Sequence, residues 1–343
     1  TPATSRDIWK LNSKIKMLYE EWRTLYGQAS DMSRLQVVEI NRELNFLWNG
    51  TPEHVMSGRL FVIHTYNSLF IKLLAAEIVS AHNLTTIQQP AQVMMALLDD
   101  EALLSALERN IERGGIFSQA GIRGFVEEAL FSWYLDAATK DQSGELIPAL
   151  RSLLATLSLY RTDILTETRD VLRDLYQNLV PSRLRRSLGE FYTPDWLVEF
   201  TIDRLENNSW LDCRILDPTC GSGSFLVALI HRVRREAEKA GWEKSWIVNY
   251  LCHSIWGFDL NPLAVQTARV NYLMSIADLL TPGQSIEIPI LMADAIYSPA
   301  PNPANPDCVV TYRIGSQVAN LEITLPAPLA SNRLRLDQVF VVL

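Results

Sequence analysis

Three short apolar runs, each reaching an aspartate, alternate with two long helical stretches between Arg214 and Ile296. The runs are RILD, ending at Asp217, SIWGFDL, holding Asp259, and IEIPILMADAI, holding Asp294. Between them lie a helical stretch from Ser224 to about Lys239 and a second, NPLAVQTARVNYLMSIADLL, from Asn261 to Leu280. Strand, helix, strand, helix, strand is the rhythm of a parallel doubly wound sheet, and the fold class read here is α/β. Such a sheet binds ligands at the carboxyl ends of its strands. All three aspartates are placed there.

The first half has a different texture. Val37, Ile40, Leu44 and Leu47 recur at helical spacing, as do Leu165, Leu172, Leu175 and Leu179. Breakers are sparse and no repeat period is visible. Residues 1–180 are expected to form an all-α domain without chemistry of its own; His54, His64 and His82 are isolated and read as core or surface groups. The run LFVIHTYNSLFIKLLAAEIV is long enough to span a bilayer, but His64, Asn67, Lys72 and Glu77 interrupt it. A buried helix of a soluble domain is the better reading, and no membrane partner is expected.

Hydrophobic residues make up 48% of the 343 and charged residues 20%, enough for a large core and too ordered a composition for global disorder. The net charge of -8 excludes a basic nucleic-acid coat protein, so nucleic-acid contact would use local patches. RLRR at Arg183 to Arg186 is one such run, and also reads as a solvated helix end. The four cysteines, Cys213, Cys220, Cys252 and Cys308, form no C-x-x-C pair and no zinc spacing. They read as reduced thiols of a cytoplasmic protein, with no metal site. Thr1 without a preceding Met reads as a processed or trimmed start. Residues 181–298 are the expected second domain. Residues 299–343 hold a Pro/Asn linker, a hairpin pattern around a Gly-Ser turn and a terminal apolar run, read as an insertion or a truncated continuation.

The centre of the chain is DPTCGSGSF, Asp217 to Phe225. Glycines there let the backbone turn sharply and approach a ligand. The loop lacks G-x-x-x-x-G-K-[ST], which excludes a P-loop, and position 226 is Leu where a dinucleotide fingerprint needs a third glycine. Asp217 beside the loop would repel a pyrophosphate and suits an ammonium or sulfonium group. Asp259, ending the second strand, is placed to accept both hydroxyls of a ribose. Asn261 reads as the cap of the next helix with Pro262 at its first position. Asp294 can accept from the exocyclic amino group of a purine. Each acid alone reads first as a loop or capping carboxylate; together they spell adenosine with a cationic, phosphate-free tail, which fits S-adenosylmethionine. Upstream, Phe191, Tyr192, Thr193 and Pro194 open a helix, with Thr193 expected as N-cap and Pro194 at the first helical position.

GEFYTP, DPTCGSGSF, GFDLNP and ADA, in that order, resemble four motifs of amino-group DNA methyltransferases, nearest to type I modification subunits and fused restriction–modification enzymes that methylate adenine N6. The resemblance covers about Arg183 to Ser298 and implies an N-terminal helical domain followed by part of a doubly wound S-adenosylmethionine-dependent methyltransferase fold. It implies that Tyr192, Thr193 and Pro194 line the methionine end of the cofactor. Asp217, Pro218, Gly221 and Gly223 would form the loop under the methionine moiety, with Phe225 packed behind. Asp259 would hold the ribose, Asp294 the adenine amino group with Ala295 beside it, and Leu260 and Pro262 would cover the adenine face.

The catalytic N-P-P-Y motif of that family, whose Asn orients the target amino group and whose aromatic stacks on a flipped base, is not among the 343 residues. NPANP at Asn302 has neither the P-P step nor the aromatic. No catalytic residue is therefore assigned. The expectation is the cofactor-binding portion of a DNA methyltransferase, inactive alone, whose full-length parent engages double-stranded DNA and a specificity or restriction subunit. The alternatives are a methyltransferase-fold module for assembly or DNA docking without catalysis, or a methyltransferase acting on protein or a small molecule; F-Y-T-P upstream of the loop argues against the latter.

Overall fold

The computed structural model describes residues 13–27, 52–126, 130–140, 144–159, 172, 193–205, 209–295, 300–301, 309–315 and 320–330. Contacts divide the chain into two units, Thr1–Ala293 and Asp294–Leu343. The described first part of unit one is mostly helical: α1 (Ser13–Gly27), α2 (Pro52–Ala81), α3 (Pro90–Met95), α4 (Asp100–Leu107), α5 (Gly115–Gln119), α6 (Trp133–Ala138) and α7 (Leu146–Ser158). Asp99 caps α4 by accepting the Ala102 N–H at 2.8 Å. The Val37–Leu47 series and the RLRR run lie outside the described residues. Of the second helical series only Leu172 is described, and it is buried.

α2 contains the long apolar run. Its Ser57–Ala81 window is long and apolar enough to cross a membrane, and 78% of it is buried within the chain's own fold. Three of the polar residues that interrupt it, His64, Lys72 and Glu77, have partners outside α2. Lys72 Nζ lies 2.5 Å from Glu112 Oε2, and Tyr134 donates to Glu112 Oε1 at 3.0 Å. Glu77 accepts the Ala91 N–H at 2.6 Å, and Trp22 Nε1 donates to His64 Nδ1 at 3.2 Å.

The α/β part runs α8 (Asp195–Ile202), β2 (Ile215–Asp217), α9 (Ser224–Lys239), α10 (Lys244–Ser254), β3 (Ile255–Asp259), α11 (Pro262–Ile276), β4 (Ile286–Glu287) and β5 (Ile290–Met292). β2, β3 and β5 form a parallel sheet in that order, with Asp217 opposite Gly257 and Asp259 opposite Met292. α9 buries Leu226, Val227, Leu229, Ile230, Val233 and Ala237, the stripe its 3.6-residue period demands. α11 is buried nearly all round and packs against α2 as well as α9, β3 and β5. The helical part and the α/β part therefore share one core.

Three local expectations change. The reading of the first half as all-α does not extend to β1 (Ile122–Arg123), which pairs in parallel with β4 through Ile122–Ile286 and Arg123–Glu287. IEIPILMADAI is not one strand: Pro289 has no N–H to donate, and the run breaks around it into β4, on β1, and β5, on β3. α10 is an extra helix that runs straight into β3 at Ile255.

Unit two contains an antiparallel sheet of β6 (Ala300–Pro301), β7 (Val309–Gly315) and β8 (Asn320–Pro326), followed by the short α12 (Ala327–Ala330). The expected hairpin is β7–β8, with Thr311 opposite Thr324 and their hydroxyls 3.2 Å apart. Ala300–Pro301, read as linker, pair with β7. The terminal run LDQVFVVL lies outside the described residues.

Candidate functional site

The turn from β2 into α9 is built on two left-handed glycines, Gly221 at φ +54 and Gly223 at φ +87. A Cβ at Gly221 would meet nothing within 4 Å, so this edge of the loop is open. A Cβ at Gly223 would stand 3.3 Å from Ala268 Cβ, so here the loop lies against α11. The loop is tied down at several points. Cys220 N–H donates to Phe258 O at 2.8 Å and Gly223 N–H to Cys220 O at 2.8 Å. Gly221 N–H donates to Asp259 Oδ2 at 2.9 Å.

Asp259 thus joins the end of β3 to the glycine loop. Its other oxygen, Oδ1, accepts the Asn261 N–H at 2.9 Å. An ionised carboxylate offers about four acceptor positions, so capacity for ligand hydroxyls remains. Asp217 is half-buried at the end of β2 and accepts the Thr219 N–H at 3.2 Å. Burial raises its carboxyl above the ordinary carboxylate range; the Thr219 N–H opposes this, and the charge of Asp259 adds to the rise. Among the described residues, no cation offsets the charge of Asp217. A ligand ammonium or sulfonium beside Asp217 would relieve that deficit, whereas a pyrophosphate would deepen it. The two acceptor carboxylates and the open face at Gly221 fit S-adenosylmethionine.

Asn261 caps α11 through the Leu263 and Ala264 N–H groups at 2.9 and 3.2 Å, with Pro262 at the first position, as expected. Phe225 is partly buried against the core, Pro218 is exposed, Leu260 is 43% exposed and Pro262 is buried. Met292, in register beside Asp259, is a second partly exposed apolar group at the strand ends. Thr193 is half-buried and Pro194 exposed. The N-cap of α8 is Pro194, one residue after the expected Thr193, because its extended backbone (φ -62, ψ 146) delays the first helical position to Asp195. Phe191 and Tyr192 lie outside the described residues. Asp294 and Ala295 open unit two and are exposed. Cys220, inside the loop, is buried, and burial with the charges of Asp259 and Asp217 pushes its thiol far up, so it is not a thiolate nucleophile. Among the described residues Cys213, Cys220 and Cys252 form no disulfide, and no cluster of metal-binding side chains occurs.

Sequence reasoning missed the supports behind the site. Asn271 Nδ2 donates to Ser222 O at 2.9 Å, and Arg269 Nε to Ile290 O at 3.0 Å. Both lie in α11 and are buried. Their signal was present: an Asn and an Arg inside an otherwise apolar helix must find partners. Gly257 was read only as part of a motif, yet a Cβ there would stand 2.6 Å from Leu226 Cδ1.

The N-6 DNA Methylase family model matches residues 167–312, which contain the glycine loop and all three aspartates. The adenine-specific methyltransferase PglX of Streptomyces coelicolor is 32% identical over 111 residues, 30% of this chain and 9% of that protein. The methylase subunit of the type I restriction enzyme EcoEI of Escherichia coli is 25% identical over 169 residues, 49% of this chain and 30% of that subunit. The chain thus spans less than a third of the length of these curated relatives. A solved structure of the Type ISP restriction-modification enzyme LlaGI with a DNA substrate mimic covers 84% of this chain and 21% of that one, at 15% identity and a TM-score of 0.37, too low to establish a common fold. The chain resembles the N-6 DNA methylases and the methylase subunits of type I restriction enzymes.

Proposed function

We propose that this chain is the cofactor-binding portion of a site-specific DNA methyltransferase that transfers a methyl group from S-adenosylmethionine to adenine N6, in restriction–modification or related phage defence. The observation that carries the reading is the junction of Gly221 and Asp259, which puts the glycine loop and the second acid in one hydrogen-bonded unit beside the charge-starved Asp217. The matching family model and relatives named as adenine-specific or type I methylases support the reaction class.

In this reading the cofactor supplies an activated methyl group on a sulfonium. Asp217 holds positive charge at the amino-acid end, and the Gly221–Gly223 backbone lies beneath it with Phe225 behind. Asp259 accepts the ribose hydroxyls while its bonds to Gly221 and Asn261 keep the carboxylate from rotating. Leu260 and Pro262 cover the adenine, and Thr193 and Pro194 close the methionine end. The 343 residues carry no N-P-P-Y motif, so in this reading they bind cofactor without transferring methyl. Double-stranded DNA and a specificity or restriction subunit are the proposed partners, in the cytoplasm.

Titration calorimetry of the full-length protein with S-adenosylmethionine tests the first step, and labelled methyl transfer to DNA followed by nucleoside analysis tests the second. Absence of cofactor binding by the folded protein would overturn the proposal. Folded protein that binds DNA or a partner but no cofactor would instead establish the non-catalytic module.

A further inference from the structure

We infer that Asn271 is a positioning residue for the cofactor loop, holding it in its ligand-receiving conformation without touching the ligand. This inference rests on the cofactor reading above. Ser222 O points into the fold and accepts from Asn271 Nδ2 at 2.9 Å; Ser222 and Asn271 are each 2% exposed. The peptide between Ser222 and Gly223 is free of steric bars to flipping. A flip turns ψ of one residue and φ of the next, and Gly223 adopts either sign of φ without a Cβ penalty. Flipping would also break the Gly223 N–H bond to Cys220 O, at 2.8 Å. The clamp from Asn271 fixes the carbonyl end of that peptide.

Ala268 lies one turn earlier on the same face of α11. Its small side chain is what Gly223 rests against, 3.3 Å from where a Cβ would be. One helix face therefore supplies a floor at position 268 and a clamp at 271. The same helix is capped by Asn261, whose backbone N–H orients Asp259. α11 thus sets the loop and the ribose acid in one frame, and Asn271 acts on the loop end of it.

The test uses Asn271→Ser and Asn271→Asp in the full-length protein, with two ligands and one ligand-free readout. 5′-Methylthioadenosine carries adenine and ribose but no amino acid. S-Adenosylmethionine affinity is expected to fall about tenfold, the scale of one lost buried hydrogen bond, while 5′-methylthioadenosine affinity holds within about twofold. In the absence of ligand, hydrogen exchange of the Gly223 amide is expected to accelerate while amides in the middle of α9 keep their protection. Equal loss for both ligands, or unchanged Gly223 exchange, would overturn the inference and leave Asn271 a plain core residue. If Asn271→Asp does not fold, the milder Asn271→Ser decides. Wild-type protein that binds neither ligand would sink the cofactor reading, while the exchange measurement would still report on the clamp.

Discussion

Adding one methyl group at Gly257 should strain the core behind the loop. Gly257 sits at the centre of the parallel sheet, between Asp217 and Ile290. The Cβ of a Gly257→Ala variant would lie 2.6 Å from Leu226 Cδ1, and 3.0 Å from both Cys220 Sγ and Ile290 Cδ1. Carbon atoms at rest keep about 3.5–4.0 Å, so Leu226 must retreat by about 1 Å. All three neighbours are buried, and a close-packed interior passes the displacement on. Overpacking of this kind costs about 1–3 kcal/mol, and removing a strand glycine returns about 0.5 kcal/mol. The net expectation is a loss of about 0.5–2.5 kcal/mol, read as a lower urea midpoint at unchanged slope. Leu226→Ala alone should cost about 2–5 kcal/mol. In the Gly257→Ala background it should cost less, because the clashing Cδ1 is gone, giving a coupling of about 1 kcal/mol. A variant as stable as wild type, or strict additivity in that cycle, would refute the steric account.

The same structure sets three other expectations. Asp217, whose folded carboxyl is raised, is more readily protonated in the fold than in the unfolded chain, so its charge opposes folding at neutral pH. Asp217→Asn should therefore keep or slightly raise the melting temperature while weakening S-adenosylmethionine binding, and wild-type affinity should fall as pH drops through the raised value. Burial holds His64 near a pKa of about 3, against 6.5 unfolded; its Nδ1 already accepts from Trp22 and cannot take a proton without losing that bond. Stability should fall by up to about 1.4 kcal/mol per pH unit below 6.5, levelling off near 3, and His64→Gln should flatten the profile. Lys72→Met alone strands the buried Glu112 charge and should cost about 3–5 kcal/mol, whereas Lys72→Met with Glu112→Leu should recover much of the loss in urea unfolding.

What the sequence disclosed depended on how local the signal was. Asn261–Pro262 is a cap that needs only its next residues, and it formed as read. The strands ending at Asp217 and Asp259 were visible because short apolar runs stood beside a glycine turn. The single third strand failed on Pro289, a breaker in plain view whose effect needed two partner strands to become evident. α10 was hidden because Tyr250 and Leu251 run through Ser254 into β3 with no breaker between. The bond from Gly221 to Asp259 and the clamp of Asn271 on Ser222 join distant segments and leave no spacing to read. Of the F-Y-T-P turn, only Thr193 and Pro194 are among the described residues, and the cap lies one step later than its composition suggested.

The two-residue ladder between β1 and β4 has a consequence for how the chain is made. Gly121 O receives the Ile286 N–H at 2.9 Å, and a Cβ at Gly121 would lie 2.2 Å from Gln284 O, so the two backbones touch. The partner of an early segment is therefore synthesised only after the glycine loop, α9, α10 and α11 have emerged. Until then the helical part carries a strand with no mate, and α2 lacks the face of α11 that completes its burial. Pairing over so long a span is entropically slow. On the ribosome, the first helices would wait as an open half-core, and the arrival of β4 and β5 would complete the helical part and the parallel sheet in one late step.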